Sequence, residues 1–175
     1  RGLVGSEMCI RDSTYLSDLL TLPPYEYRDE VIAYYLSLAG FGGLVAGVVA
    51  GILVDRIGRN EVALIGFSML IPVLSVYLTR YWINHLALLL FIQGFFVTTA
   101  FTAINTIVVE LRPQYRGTVA SIYGFLRFLG YALGPALLYP LYQYMLIKGV
   151  GFLCTILTCI GFFIALRQYL HTKYQ

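Results

Sequence analysis

Five long apolar stretches separated by short charged loops constrain this chain more than any other feature. They run over residues 31–54, 62–78, 86–109, 118–144 and 150–166. Each approaches or exceeds the roughly 17–25 residues that carry a helix across about 30 Å of hydrocarbon. A bilayer offers no water to satisfy backbone N–H and C=O groups, so such spans must be helical. Composition agrees: 59% of residues are hydrophobic and 12% charged, where soluble domains carry about 25% charge. So few charges cannot cover a water-facing surface. The expected fold is an all-α integral membrane bundle of five transmembrane helices, with the lipid bilayer as its solvent.

The rest of the chain is short. Residues 1–13, RGLVGSEMCIRDS, have no periodicity and resemble translated sequencing-adaptor sequence, so they are set aside as an artefact outside the fold. Residues 14–30, with Pro23-Pro24 and the charged run from Tyr25 to Glu30, read as a loop and the remnant of a lost helix. On this reading an N-terminal part is missing. Cys154 and Cys159 share one apolar span without metal-ligand spacing and read as small core residues. There is no Ser-His-Asp set, no metal-ligand cluster and no phosphate-binding glycine loop, so we expect no enzyme, no metal and no cofactor. The net charge of +3 comes from residues at helix ends, which suits membrane topology and not a nucleic-acid surface.

Loop charges set the orientation. Arg56, Arg59, Arg112, Arg116, Arg167 and Lys173 fall on one side, and Arg28, Arg80 and Lys148 with several acids fall on the other. The positive-inside rule puts the first group, and the C-terminus, in the cytoplasm. Tyr77, Tyr81, Trp82, Tyr139, Tyr142 and Tyr144 then gather at the outer interface as an aromatic belt.

Two elements carry the functional reading. The first span contains Gly43, Gly47 and Gly51, four apart and so on one helix face, where small residues let a neighbour approach closely or slide. It ends in Asp55-Arg56-Ile57-Gly58-Arg59. An acid at a helix C-terminus opposes the helix dipole by roughly 0.3–1 kcal/mol. Asp55 is therefore expected to bridge to Arg112, to Arg116 or to the start of the fourth span, latching the cytoplasmic ends together. Arg56 and Arg59 read as topology charges. The second element is Arg127, about ten residues into the fourth span and roughly 15 Å deep. An intramembrane arginine is costly and by default faces a cavity or a partner. Tyr123, Tyr131 and Gly134 share its stripe. Its expected partner is an anionic substrate, a carboxylate on the missing half, or polar groups such as Gln93 and Asn105; the alternative is a structural arginine. In the third span Thr98, Thr102, Asn105 and Thr106 share roughly one face and either bond between helices or line a cavity.

The sequence Gly51-x-x-x-Asp55-Arg56-x-Gly58-Arg59 resembles the signature loop of the major facilitator superfamily, which joins the second and third helices of each six-helix half. It departs only at Asn60, where the family usually has Arg or Lys. Glu110-x-x-Pro113-x-x-Arg116-Gly117 sits where the family has the loop between the fourth and fifth helices of a half. Gly130-x-x-x-Gly134-Pro135 resembles the Gly-Pro element of antiporter members and should bend its helix, although Leu138-Tyr139 replaces the Gly-Gly that follows there. The run from Ser121 to Pro135 also resembles the eleventh helix of bacterial multidrug-efflux members. Gln93-Gly94 lacks the arginine that precedes such a pair in N-terminal halves. The resemblance therefore implies the C-terminal half, five helices of six, with the N-terminal half of the same chain as partner.

It implies secondary transport of a small molecule, with proton-coupled efflux by alternating access across a plasma (inner) membrane. Two alternatives stand beside it: uptake of a sugar, organic acid or other metabolite, and a non-transporting receptor or scaffold of the same fold.

Overall fold

Helix α1 (Asp29–Ile57) begins where Asp29 and Glu30 complement the positive end of the helix dipole, and Arg56 complements the other end. The computed structural model describes residues 16–21, 23, 25–76, 78, 85–110 and 113–173, without the side chains of residue 113 and of several residues in 131–150 and 171–173. Helix α2 spans Arg59–Val76, α3 spans Leu86–Glu110, a single 3₁₀ turn covers Pro113–Tyr115, and α4 spans Arg116–Lys173. These helices hold five stretches long and apolar enough to cross a membrane, two of them within α4. The outer surface of the bundle is apolar, with Phe41, Leu44, Val48, Phe125 and Phe128 all exposed. A surface of that kind suits hydrocarbon, not water.

The tightest seam lies between α1 and α3. A Cβ on Gly42 would collide with the Phe91 carbonyl, and one on Gly94 would collide with the Ala39 carbonyl. Glycine at both places lets the two backbones touch. Ala46 and Ala50 continue that stripe and are fully buried. The stripe of close approach is thus Gly42, Ala46 and Ala50, one position before the glycines expected to form it. Of those, Gly43 faces Thr98 Oγ1, at 2.8 Å from an added Cβ, while Gly47 and Gly51 have nothing within 4 Å. A single turn of helix offers two small-residue faces here, and the periodicity alone does not choose between them. On the other side of α3, Gly66 of α2 abuts Ala100. The core at the end away from the α1–α2 loop joins Leu70, Leu74, Leu86 and Leu90 with Leu16 and Leu20. Residues 16–21 are helical, and Leu16 and Leu20 are fully buried. Tyr27 and Tyr35 pack edge to face beside them. Of the aromatic belt expected at this end, Tyr139 and Tyr144 are exposed, while residues 77, 81 and 82 lie outside the described residues.

The turn expected between residues 144 and 150 is helical instead, and α4 runs unbroken for 58 residues. Met145, Leu146, Ile147 and Lys148 form helix readily, and only Gly149 and Gly151 weigh against it. The helix cannot be straight. In a straight helix Arg127 and Gly161 would stand roughly 51 Å apart. Yet Arg127 reaches Phe101, Ala100 beside it touches Gly66, and Phe67 beside that touches Gly161. That chain of contacts is only a few side chains long, so α4 bends between these residues. Pro135 and Pro140 both lie in that interval, and proline removes a backbone donor from the helix.

Candidate functional site

The α1–α2 junction is built on Gly58. Its φ of 103° and ψ of 152° lie where side-chain-bearing residues are strained. Its N–H donates to the Val54 carbonyl at 3.1 Å and closes α1, and its own carbonyl accepts from the Val62 N–H at 3.2 Å and opens α2. One residue thus ends one helix and starts the next. The Glu61 carboxylate lies over Gly58, in the space a side chain there would occupy, and it complements the positive end of α2.

This reversal places Arg59 at the start of α2 beside Glu110 at the end of α3, and the two form an ion pair. Each charge alone is badly placed: a cation at a helix N-terminus and an anion at a C-terminus both oppose the dipole. Pairing them offsets both penalties. Val54, Asp55, Gly58, Arg59, Thr106 and Glu110 together line an open cleft of about 230 Å³. An ion pair at this end joins Arg59 to Glu110, and the bridge expected for Asp55 is a separate contact. Asp55 is exposed on the rim of this cleft, and among the described residues no ion pair joins it to Arg116. Arg112 lies outside the described residues. α1 lies chiefly against α3, and α4 packs mainly on α2, so the cleft joins the end of α1 to the end of α3. Arg56, in the last turn of α1, and Arg116, the first residue of α4, are both exposed.

Glu110 is the partner that the sequence reading does not single out. The signal was present, because Glu110 opposes its own helix dipole just as Asp55 does.

The second location is deeper. Arg127 sits with its guanidinium carbon 4.7 Å from the centre of the Phe101 ring, a cation–π contact across α4 and α3. Tyr123, one turn earlier on the same stripe, is buried, and Gly130 and Gly134 continue the buried face. The side chains of Tyr131 and Pro135 lie outside the described residues. Gln93 is buried at 3% exposure, whereas Asn105 is exposed. Three α3 threonines donate within their own helix: Thr99 to the Phe95 carbonyl, Thr102 to that of Thr98 and Thr106 to that of Thr102, each at 2.9 Å. Donation to the carbonyl four residues back is a habit of hydroxyls in helices, and it leaves each oxygen able to accept. Phe101 has no sequence signal of its own; only the helix pairing brings it under Arg127. Among the described residues no group of three or more His, Cys, Asp and Glu side chains is placed to hold a metal ion.

The family model described as Major Facilitator Superfamily matches residues 19–173. The chain is also similar to the uncharacterized MFS-type transporter YwfA of Bacillus subtilis (strain 168), with 28% identity over 158 residues. That alignment covers 89% of this chain and 37% of the relative, so the chain spans well under half of the relative's length.

Proposed function

Because the chain belongs to the major facilitator superfamily, we propose that, within a full-length protein, it forms the C-terminal half of a secondary transporter of small molecules working by alternating access. In such transporters two halves rock about a site near the bilayer midplane. The Arg59–Glu110 pair carries this reading. It ties α2 to α3 at the end of the bundle where the loop holds the family's signature. A partly exposed ion pair contributes about 0–1 kcal/mol, weak enough to break and re-form in a transport cycle. Gly51, Asp55, Arg56, Gly58, Arg59, Arg112 and Arg116 make up this latch region. The positive-inside rule supports placing it, with the C-terminus, in the cytoplasm. Arg127, with Tyr123, Tyr131, Gln93 and Asn105 nearby in sequence or face, makes up the midplane region. Gly130, Gly134 and Pro135 supply flexibility in α4 just beyond Arg127.

The resemblance of the run from Ser121 to Pro135 to multidrug-efflux members supports efflux, with proton exchange as the driving step and the plasma (inner) membrane as location. The test is flux in proteoliposomes of the full-length protein. A proton gradient should drive accumulation of a transported compound, and an uncoupler should abolish it. Flux indifferent to the uncoupler would remove proton coupling, and absence of flux for any of a broad compound panel would favour a receptor or scaffold.

A further inference from the structure

The second span of α4 divides into two faces. Cys154, Thr158 and Gly161 are buried, and a Cβ on Gly161 would press on the Phe67 ring of α2. Phe152, Ile156, Ile160, Phe163 and Arg167 recur three or four residues apart, so they share the opposite face, and all of them are exposed. From Ile156 to Arg167 the helix rises roughly 17 Å, close to half of a hydrocarbon core about 30 Å thick. The apolar stripe therefore runs about the depth of one leaflet and delivers the guanidinium to the level of the headgroups. Among the described residues no ion pair engages Arg167, and from Arg116 to Gln175 the sequence contains no Asp or Glu. A guanidinium fork matches the paired oxygens of a phosphate, and a cation at this level attracts anionic lipid.

We propose that this face of α4 is a binding site for an anionic phospholipid, with Arg167 on the headgroup phosphate and Ile156, Ile160 and Phe163 along an acyl chain. The two parts of the site select together. The stripe demands a chain, which free phosphate lacks, and the unpaired cation demands net negative charge, which a zwitterionic lipid lacks. The proposal goes beyond the transport reading and rests only on α4 crossing a bilayer.

The experiment reads lipid contact at the stripe itself. In the full-length protein with its native tryptophans, Trp82 included, replaced by Phe, Phe163→Trp puts an indole at an exposed position one turn from Arg167. The protein is reconstituted in mixed vesicles of dioleoylphosphatidylcholine and dioleoylphosphatidylglycerol. In two parallel series one lipid or the other is replaced by its dibromo analogue, which quenches the indole on contact. The anionic lipid should occupy the stripe about fivefold more tightly, the effect expected of one arginine near the membrane surface. Arg167→Gln should abolish this preference, and Arg167→Lys should retain most of it. Inorganic phosphate, compared with chloride at equal ionic strength, should leave it unchanged. Equal occupancy by the two lipids, or a preference that survives Arg167→Gln, would overturn the proposal. Quenching by neither lipid would show that protein covers the face, another part of the chain or a second copy, and would overturn it too. Loss of the preference in phosphate would overturn it in favour of a free anion. Quenching needs no turnover, so a protein that transports nothing would still report the site, and failure of the transport reading is separable from failure of this one.

Discussion

Arg59 and Arg127 carry the same guanidinium into two environments. Arg59 stands at a helix end, partly exposed, and meets a carboxylate. Arg127 stands inside a span and meets an aromatic face. Near the surface a carboxylate is the easy partner, because water shares the cost of both charges. At depth, burying a second charge is expensive, and a ring face compensates the cation without adding one. The difference teaches that the residue type does not set the role. Depth and neighbour do: they give Arg59 a carboxylate partner at a helix end and Arg127 an aromatic one within a span.

The comparison breaks most directly at Arg127. Removing one member of a desolvated charge contact costs about 2–5 kcal/mol. Arg127→Ala should therefore lower kcat/KM for transport by at least about 30-fold, with expression and detergent stability retained. Wild-type flux from this variant would make Arg127 a structural residue and end the contrast.

Gly58 comes next, because it fixes where Arg59 stands. Its backbone conformation costs a side-chain-bearing residue about 1–3 kcal/mol, and an added Cβ would also push the Glu61 carboxylate aside. Gly58→Ala should lower the thermal-inactivation midpoint in detergent, whereas Gly47→Ala, with open space around it, should leave it unchanged. Equal effects would mean that the loop geometry does not hold the latch.

How much of this was legible in sequence follows the same division. Length and hydropathy fix the spans, and Gly58 follows from the signature loop. The partner of Arg59 does not follow, because it depends on α1 lying against α3, and no periodicity encodes which helices are neighbours. The same gap hides Phe101 under Arg127 and moves the close-packed stripe from Gly43 to Gly42. Residues 14–30 read as a loop and the remnant of a lost helix, but the burial of Leu16 and Leu20 depends on a core that no local pattern encodes. The unbroken α4 shows the limit of turn signals: one lysine and two glycines are compatible with helix when strong helix formers precede them.

Phe101 sharpens the deep half of the comparison. Phe101→Leu keeps bulk and apolarity but removes the ring face, a contribution of about 0.5–2 kcal/mol. KM for the transported compound should rise between about twofold and thirtyfold with kcat largely retained, and Phe101→Tyr should rescue it. A loss confined to kcat would show that Phe101 shapes the conformational cycle and not the position of Arg127.

The smallest effect belongs to the pair at the surface. Arg59→Ala and Glu110→Ala should each cost little, and the coupling from the double-mutant cycle should fall near 0.2–1 kcal/mol. It should shrink as salt rises from about 0.01 to 1 M, because the screening length falls from about 30 to 3 Å. Because each charge opposes its own helix dipole, each single variant relieves one penalty while exposing the other, so a single substitution understates the pair. The reversed pair, Arg59→Glu with Glu110→Arg, places both charges favourably for their dipoles. It should bind the two helix ends at least as firmly as the native pair and slow the transport cycle. Faster transport from the reversed pair would show that the bridge is not a tie that must break.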